Sequence, residues 1–88
     1  MTASPPVLEL FHRIGDPASA QVRRYVAENG LLEKVRFRNV AFPDAQRDFQ
    51  ARGGGNTPAL WDGQVLIEGT DPAIARLREL VSAGGRPP

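Results

Sequence analysis

TPALWDGQVLIEG, residues 57–69, is the strongest local signal in this sequence. Two short apolar runs flank Asp62-Gly63, a dipeptide that favours a two-residue type I′ turn, so the stretch predicts a β-hairpin with antiparallel strands. Thr70-Asp71-Pro72 follows directly and predicts a helix start, because it places capping residues before a proline. The apolar stripe of that last helix is expected to consist of Ile74, Leu77, Leu80 and Val81.

The N-terminal part of the chain predicts a strand followed by a helix. VLELFH, residues 7–12, alternates in polarity and contains β-forming residues, as a strand does. Asp16 is suited to cap the next helix, and Pro17 to occupy its first position, where a missing N–H costs nothing. Gly30 supplies the C-terminal stop.

A second strand is predicted at KVRFRNV, residues 34–40. Val35 and Phe37 alternate with Arg36 and Arg38, which suits a strand with one wet face. Charges of this kind are common on edge strands, where they discourage pairing with another sheet. A short strand-helix-strand unit makes its two strands parallel, with a right-handed crossover.

A short helix joins this unit to the hairpin. Its predicted cap is Asp44, and it is expected to end at the first of three glycines, residues 53–55, interpreted as a flexible connection. The complete order predicts an α/β fold, a βαβ-α-ββα sandwich with a four-stranded mixed sheet in residues 7–83. Residues 1–6 and 84–88 are expected to be disordered tails.

The composition excludes several classes of function. Eleven basic and ten acidic residues leave a net charge of +1, which gives no basic field of the kind that nucleic-acid binders use. With no cysteine there is no disulfide, thiolate metal site or thiol nucleophile, and around the single His12 no ligand spacing predicts a metal site. No apolar run approaches the ~20 residues of a membrane span. We therefore expect a soluble, cytoplasmic protein without nucleic-acid or membrane partners.

Three segments resemble the thioredoxin fold in the form shared by glutaredoxins and the N-terminal domain of glutathione transferases. RIGDPAS, residues 13–19, resembles the glutaredoxin Cys-Pro-x-Cys stretch after a basic residue, with Asp16 and Ser19 where the two cysteines stand. RDFQARGGGNTPALWDG, residues 47–63, resembles the helix-Gly-x-x-Thr-Val-Pro-strand segment, and its PALWDG is similar to transferases. IEGTDPAIARL, residues 67–77, resembles the start of the last helix in both groups. The resemblance extends from residue 7 to about residue 82.

This resemblance implies a glutaredoxin-like domain that lacks the active-site cysteines. It implies a cis bond before Pro58, which turns the backbone of Thr57 toward a groove where glutathione or another extended peptide can add like a short strand. In the relatives, a basic side chain at the place of Arg13 takes the glycine carboxylate of glutathione, and the helix start at Thr70 and Asp71 takes the γ-glutamyl end. Asp16 and Pro17 complete the expected ligand-binding set.

Asp16 has two interpretations. It is either a structural cap or the mark of a changed ligand, because a carboxylate at this position would repel the sulfur anion of glutathione and disfavour thiol activation. Two residues are candidates for catalysis. Ser19 has no base beside it in the sequence, and His12 aligns near the place of a tyrosine that donates to the glutathione sulfur in some transferases, or simply satisfies local backbone groups.

The sequence thus leaves three hypotheses for function. The first is a non-redox binding module for glutathione or an extended peptide, since the groove is kept and both cysteines are absent. The second is a minimal glutathione transferase-like enzyme that uses His12 or Ser19. The third is a structural or interaction subunit, with an oligomeric state that the sequence does not specify. Dithiol oxidoreductase activity is not expected.

Overall fold

A computed structural model describes the backbone of residues 8–85 and the side chains of residues 8–80. The predicted tail at residues 1–6 lies outside the described residues, as do residues 86–88 of the other tail. The last helix continues to Gly85, so residues 84 and 85 are helical rather than part of a tail. Helix ends are the least certain boundaries to derive from a sequence, and the two glycines there do not stop the helix at once.

The predicted order of strands and helices is confirmed. The elements are β1 (Leu8–His12), α1 (Pro17–Glu28), β2 (Val35–Asn39), α2 (Pro43–Ala51), β3 (Ala59–Trp61), β4 (Leu66–Glu68) and α3 (Thr70–Gly85). The four strands form one sheet in the order β2-β1-β3-β4. β1 pairs with β2 in parallel, and the β1–β3 and β3–β4 pairs are antiparallel. The sheet is therefore mixed, and β2 lies at an edge as predicted.

The helices cover both faces of the sheet and bury a separate apolar cluster on each. α1 and α3 pack on one face, in a cluster built around Leu10, Val22, Val26, Leu60 and Leu77. α2 packs on the other face, where Phe11 and Phe49 have ring centroids 5.4 Å apart and are joined by Val40, Ala45 and Ala59. Alternate residues of β1 face opposite sides, which places Leu10 in one cluster and Phe11 in the other.

The predicted wet face of β2 is wrong for Arg38. This side chain is only 12% exposed, because α2 covers that face of the sheet. Its guanidinium donates to Glu9 on β1 and, at 2.8 Å, to Asp48 on α2. Arg52 lies 3.2 Å from Glu9 as a second cation. Phe37, expected on the covered side, is 36% exposed.

Two predicted helix caps also differ from the structure. Asp44 is not a cap: Phe42 holds that position without a side-chain hydrogen bond, and Asp44 lies in the first turn of α2. The proline fixes this start, because Pro43 occupies the first helical position and the residue before it becomes the cap. α3 begins at Thr70, so Pro72 is its third residue, still within the first turn, where N–H groups have no intrahelical partner.

The hairpin forms as predicted, but with a longer turn. Trp61 pairs with Leu66, so the loop contains the four residues 62–65 instead of two. Asp62 Oδ1 accepts from the amides of Gln64 and Val65, each at 2.9 Å. A type I′ turn needs a positive φ at both central residues, and Asp62 has none; only Gly63 does, with φ 101°. The turn is held by these side-chain hydrogen bonds of Asp62 together with the bond from its backbone N–H to the Val65 carbonyl, at 3.2 Å.

The middle one of the three glycines after α2 packs closely instead of belonging to a loose connection, whereas Gly53 and Gly55 are exposed. A Cβ atom on Gly54 would lie 2.3 Å from the ring of Phe49, and its amide donates to the Phe49 carbonyl at 2.8 Å. Gly55 donates to the Glu68 carboxylate at 2.6 Å. Glycine at position 54 therefore lets the chain turn directly over Phe49 and enter β3 beside β1.

Candidate functional site

The start of α1 is built around the carboxylate of Asp16. The residue is the N-cap, with an extended backbone, and Pro17 follows at the first helical position. Asp16 accepts from the amides of Ala18 and Ser19 at 3.2 and 3.3 Å, and from the Ser19 hydroxyl at 2.8 Å. These bonds satisfy N–H groups that have no partner inside the helix.

A fourth contact joins this cap to the chain before β3. The hydroxyl of Thr57 donates to Asp16 Oδ2 at 3.3 Å, across 41 residues of sequence. A cavity of about 520 Å³ lies here, which we call the groove; its lining residues are Arg13, Gly15, Asp16, Gly55, Asn56 and Thr57. The Thr57–Pro58 peptide bond is cis. Pro58 itself is buried and does not line the groove.

The structure brings together some of the predicted ligand-binding residues and separates others. Arg13, Asp16 and Thr57 line the groove. Thr70 does not line it, but its hydroxyl donates to the carbonyl of Ala18 at 3.4 Å, which holds the start of α3 against the first turn of α1. The other two, Pro17 and Asp71, are exposed and do not line the groove either.

His12 is buried and neutral. Its side chain sits at the end of β1 with 4% exposure, in edge contact with the ring of Phe37. The guanidinium of Arg23 lies 3.1 Å from His12 Nδ1. Because arginine can only donate, Nδ1 accepts and Nε2 carries the ring proton. Burial, and then the charge of Arg23, lower the pKa of His12.

The Ser19 hydroxyl is also fully engaged. It donates to Asp16 and accepts from the backbone amide of Arg13 at 3.2 Å, and the residue has 0% exposure. Neither Ser19 nor His12 lines the groove. The two catalytic candidates therefore act in this structure as internal supports of the loop between β1 and α1.

Asp16 is ionised at neutral pH. The hydrogen bond from the Ser19 hydroxyl is the main cause that lowers its pKa, and the bonds from the amides of Ala18 and Ser19 and from Thr57 act in the same direction. Hydrogen bonds to a carboxylate favour its charged form. A fixed negative charge therefore lies at the start of α1, at the position that the sequence resemblance matches to a cysteine.

Sequence reasoning missed two residues that shape the walls of the groove. Arg23 donates to the carbonyls of Arg13 and Ile14 at 3.0 and 3.4 Å and so holds one wall. Glu68 accepts from the amides of Gly55 and Asn56 at 2.6 and 3.1 Å and holds the other; these amides lower its pKa. In the walls, Arg23 and Glu68 bond to backbone groups, which every residue has, so the sequence does not mark these contacts.

A second, larger cavity lies between α2 and the hairpin. It has a volume of about 600 Å³ and includes Arg52, whose guanidinium lies 4.4 Å from the centre of the Trp61 ring. This arrangement is a cation–π contact. None of the predicted site residues lines this cavity, and we therefore take the groove as the candidate site.

Comparison with solved structures identifies a glutaredoxin as a structural neighbour. The neighbour is the solution structure of glutaredoxin from Brucella melitensis, with a TM-score of 0.59 and 23% sequence identity. The alignment covers 96% of this chain and 91% of the glutaredoxin chain. The fold is thioredoxin-like. It is a glutaredoxin-like form of that fold in a chain without cysteine. No protein-family model and no curated protein matches the sequence.

The described residues offer neither a cluster of metal ligands nor a membrane-spanning helix. Within residues 8–85, no three histidine, aspartate or glutamate side chains are grouped so that they could hold a metal ion. None of the helices in the described part of the chain has the length and apolar character needed to cross a membrane.

Proposed function

We propose that this glutaredoxin-like chain is a non-redox binding module that holds glutathione or another extended peptide in the groove. Thiol–disulfide exchange needs a thiolate, and the chain contains no cysteine. What the chain keeps is the concave surface beside Thr57 and the start of α1. In this groove a helix-capping carboxylate, Asp16, stands in place of a reactive thiol. This arrangement supports binding, without thiol chemistry, as the function of the groove.

The observation that carries this proposal is the backbone of Thr57. Thr57 lines the groove, two residues before β3 begins. Among residues 8–85, neither its amide N–H nor its carbonyl oxygen has a hydrogen-bond partner. An extended peptide can satisfy both groups in the manner of an added strand. Unpaired backbone groups at the wall of an open groove therefore favour a ligand with a backbone of its own.

Arg13 supplies the second element of recognition. Its side chain is exposed on the opposite wall of the groove, and the loop that carries it is held in place by Arg23. A guanidinium matches the geometry of a carboxylate, so Arg13 is suited to hold the free carboxylate of a short peptide. Together, Arg13 and Thr57 fix the direction and position of such a ligand.

Titration of isotope-labelled protein with glutathione tests the proposal. We expect the amide signals of Arg13, Gly15, Asn56 and Thr57 to shift at millimolar ligand, with no shifts in α2. Arg13→Ala should weaken binding by about fivefold through the loss of an exposed ion pair, whereas Arg24→Ala, which removes an exposed arginine from α1, should leave it unchanged. Absence of shifts with glutathione and with a set of extended peptides would overturn the proposal.

The enzyme alternative has no supporting contact in the structure. A minimal glutathione transferase-like reaction would need His12 or Ser19 to reach a bound thiol, and both are buried and bonded to neighbours. Conjugation of glutathione to a generic electrophile, compared between wild type and His12→Ala, tests this alternative. A wild-type rate above background that His12→Ala removes would restore it.

The structural-subunit alternative rests on one feature. β2 is an edge strand, and Phe37 on it is 36% exposed. A second copy could pair along this edge, although Arg36 disfavours such pairing by charge. Size-exclusion chromatography with light scattering measures the mass directly. A dimer that Phe37→Lys converts to a monomer would support this alternative.

A further inference from the structure

The carboxylate of Asp16 is not saturated by its own helix. Oδ2 accepts from Ser19 and from Thr57, but within residues 8–85 Oδ1 accepts only from the amide of Ala18. A carboxylate oxygen has two lone-pair directions, so Oδ1 keeps one open. The side chain is partly exposed and lines the groove. Asp16 can therefore accept one more hydrogen bond from a ligand.

Arg13 and Asp16 are the two charges of the groove that remain available. Arg23 is already bonded to two carbonyls and to His12, and Glu68 to the amides of Gly55 and Asn56. In the described part of the chain, the Arg13 side chain has no ion-pair partner and no hydrogen bond. Among the described residues, the groove thus presents one cation without a partner and one carboxylate with an open acceptor position, with the unpaired backbone of Thr57 in the same cavity.

We propose that the groove selects extended peptides that place a cationic side chain or an amine at Asp16 and a carboxylate at Arg13. This inference rests on the proposed binding function and names its ligand class. A thiolate at the same place would be repelled by Asp16, and a neutral thiol would gain little from it. A protonated amine gains an ion pair and a charge-assisted hydrogen bond to Oδ1.

Three tripeptides with one backbone test the selection. They are glutathione, its analogue with alanine in place of cysteine, and its analogue with 2,3-diaminopropionic acid in place of cysteine. At pH 5.5 the glutathione thiol is neutral and the diaminopropionyl amine is largely protonated, although the neighbouring peptide groups lower its pKa well below that of lysine. Asp16 is still ionised at this pH, because its pKa is lowered from the ordinary value. Dissociation constants come from the amide shifts of Gly15 and Thr57. We expect the amine analogue to bind about three- to fivefold more tightly than the other two, as for an exposed ion pair.

Asp16→Asn and Asp44→Asn form a matched pair of variants. Asparagine caps a helix about as well as aspartate, so Asp16→Asn removes the charge and keeps the fold. Asp44→Asn likewise removes one negative charge, but from the first turn of α2, outside the groove. We expect the preference for the amine to disappear in Asp16→Asn and to persist in Asp44→Asn.

The outcomes separate the two proposals. Equal binding of all three tripeptides to wild-type protein would overturn the charge selection and leave the binding function standing. The same holds if the amine preference is present in wild type and persists in Asp16→Asn. If none of the tripeptides shifts the groove signals, the proposed binding of glutathione-like peptides fails, and the selection fails with it.

Discussion

Helices α1 and α2 begin with the same two residues in opposite order. α1 begins at Asp16-Pro17 and α2 at Pro43-Asp44, with the proline at the first helical position in both. The residue before each proline is extended, with φ −95° and ψ 116° at Asp16 and φ −87° and ψ 139° at Phe42. The backbone of the two helix starts is thus alike, and the differences between them lie in the side chains.

The order of the pair decides what the carboxylate does. Asp16 precedes its proline and accepts four hydrogen bonds, one of them from Thr57 across the groove. Asp44 follows its proline, is 84% exposed and pairs only with Arg47, at 3.4 Å, among the described residues. Asp16 therefore caps its helix, whereas Asp44 forms only a surface ion pair, and such pairs contribute little to the free energy of unfolding.

The two helices differ again three residues after the cap. Ser19 and Ala45 occupy this same place, and both are buried. The Ser19 hydroxyl bridges Asp16 and the amide of Arg13, whereas Ala45 belongs to the apolar cluster around Phe49. α1 is therefore joined to its preceding loop by polar bonds, and α2 is held by packing alone at this position.

The largest effect is expected from Ser19→Ala, which makes α1 like α2 at this position. The change removes a donor to Asp16 and leaves the amide of Arg13 without its acceptor. We expect the free energy of unfolding to fall by about 2 kcal/mol, as for an unsatisfied buried group, measured by urea denaturation. A loss below about 0.5 kcal/mol would show that the hydroxyl does not support the loop.

The reciprocal change, Ala45→Ser, sharpens the same comparison. Here the new hydroxyl enters an apolar cluster, with no side-chain acceptor corresponding to Asp16 at the cap, Phe42. We expect a decrease of about 1–3 kcal/mol from burial of an unpaired polar group. If Ala45→Ser is neutral, the two helix starts do not differ in the way that their contacts indicate.

Next in size is the loss of the cap itself. Asp16→Ala should lower Tm by about 5 °C, whereas Asp44→Ala should lower it by less than about 2 °C, since one carboxylate caps a helix and the other is on the surface. Asp16→Asn should retain most of the stability lost in Asp16→Ala. Thermal unfolding followed by circular dichroism measures all three. Equal shifts for the two aspartates would contradict the comparison.

The sequence predicts the fold well because the marks of each element are local. Prolines beside aspartates mark the helix starts, and an Asp-Gly pair between apolar runs marks the hairpin. The errors arise where a neighbour changes the role of a residue. Asp44 has the right type for a cap, but Pro43 moves the cap to Phe42. Arg38 is a residue type expected on a solvent-exposed face, but α2 covers it, and the pattern of β2 alone does not show where a later helix packs.

The groove is only partly predictable for a related reason. The resemblance indicates Arg13, Asp16 and Thr57, because these positions belong to its motifs. Arg23 and Glu68 support the walls through backbone groups 9 to 13 residues away in sequence. Any residue provides such groups, so no pattern of residue types records these contacts. Only the fold brings them together.

A smaller effect is expected in the pH dependence of stability. The pKa of Asp16 is lower in the folded chain than in the unfolded one, chiefly through the Ser19 hydroxyl. Its contribution is therefore complete above the unfolded pKa of about 3.9 and is lost as the pH falls through the folded pKa. We expect the stability of Asp16→Asn to decline less steeply than that of wild type from about pH 5 downward.

The measurement compares the two proteins in urea at several pH values. Asp48, Asp62 and Glu68 also have pKa values lowered by the hydrogen bonds they accept, and they remain in both proteins. The difference in slope therefore isolates Asp16. Parallel curves would mean that ionisation of Asp16 does not stabilise the fold.

The smallest effect is expected at the contact that α2 lacks altogether, the hydroxyl of Thr57 on Asp16. Thr57→Val keeps the shape of the side chain and removes this donor. The bond is long, at 3.3 Å, and the residue is partly exposed, so we expect a loss of about 0.5 kcal/mol at most. Thr57→Ser keeps the hydroxyl and is the control.

The amide signals of Ala18 and Ser19 should shift in Thr57→Val and not in Thr57→Ser, because both amides donate to the carboxylate that loses a partner. If the valine variant leaves these signals in place, the cap of α1 and the wall at Thr57 are adjacent but not joined, and Asp16 would serve its own helix as Asp44 serves only the surface of α2.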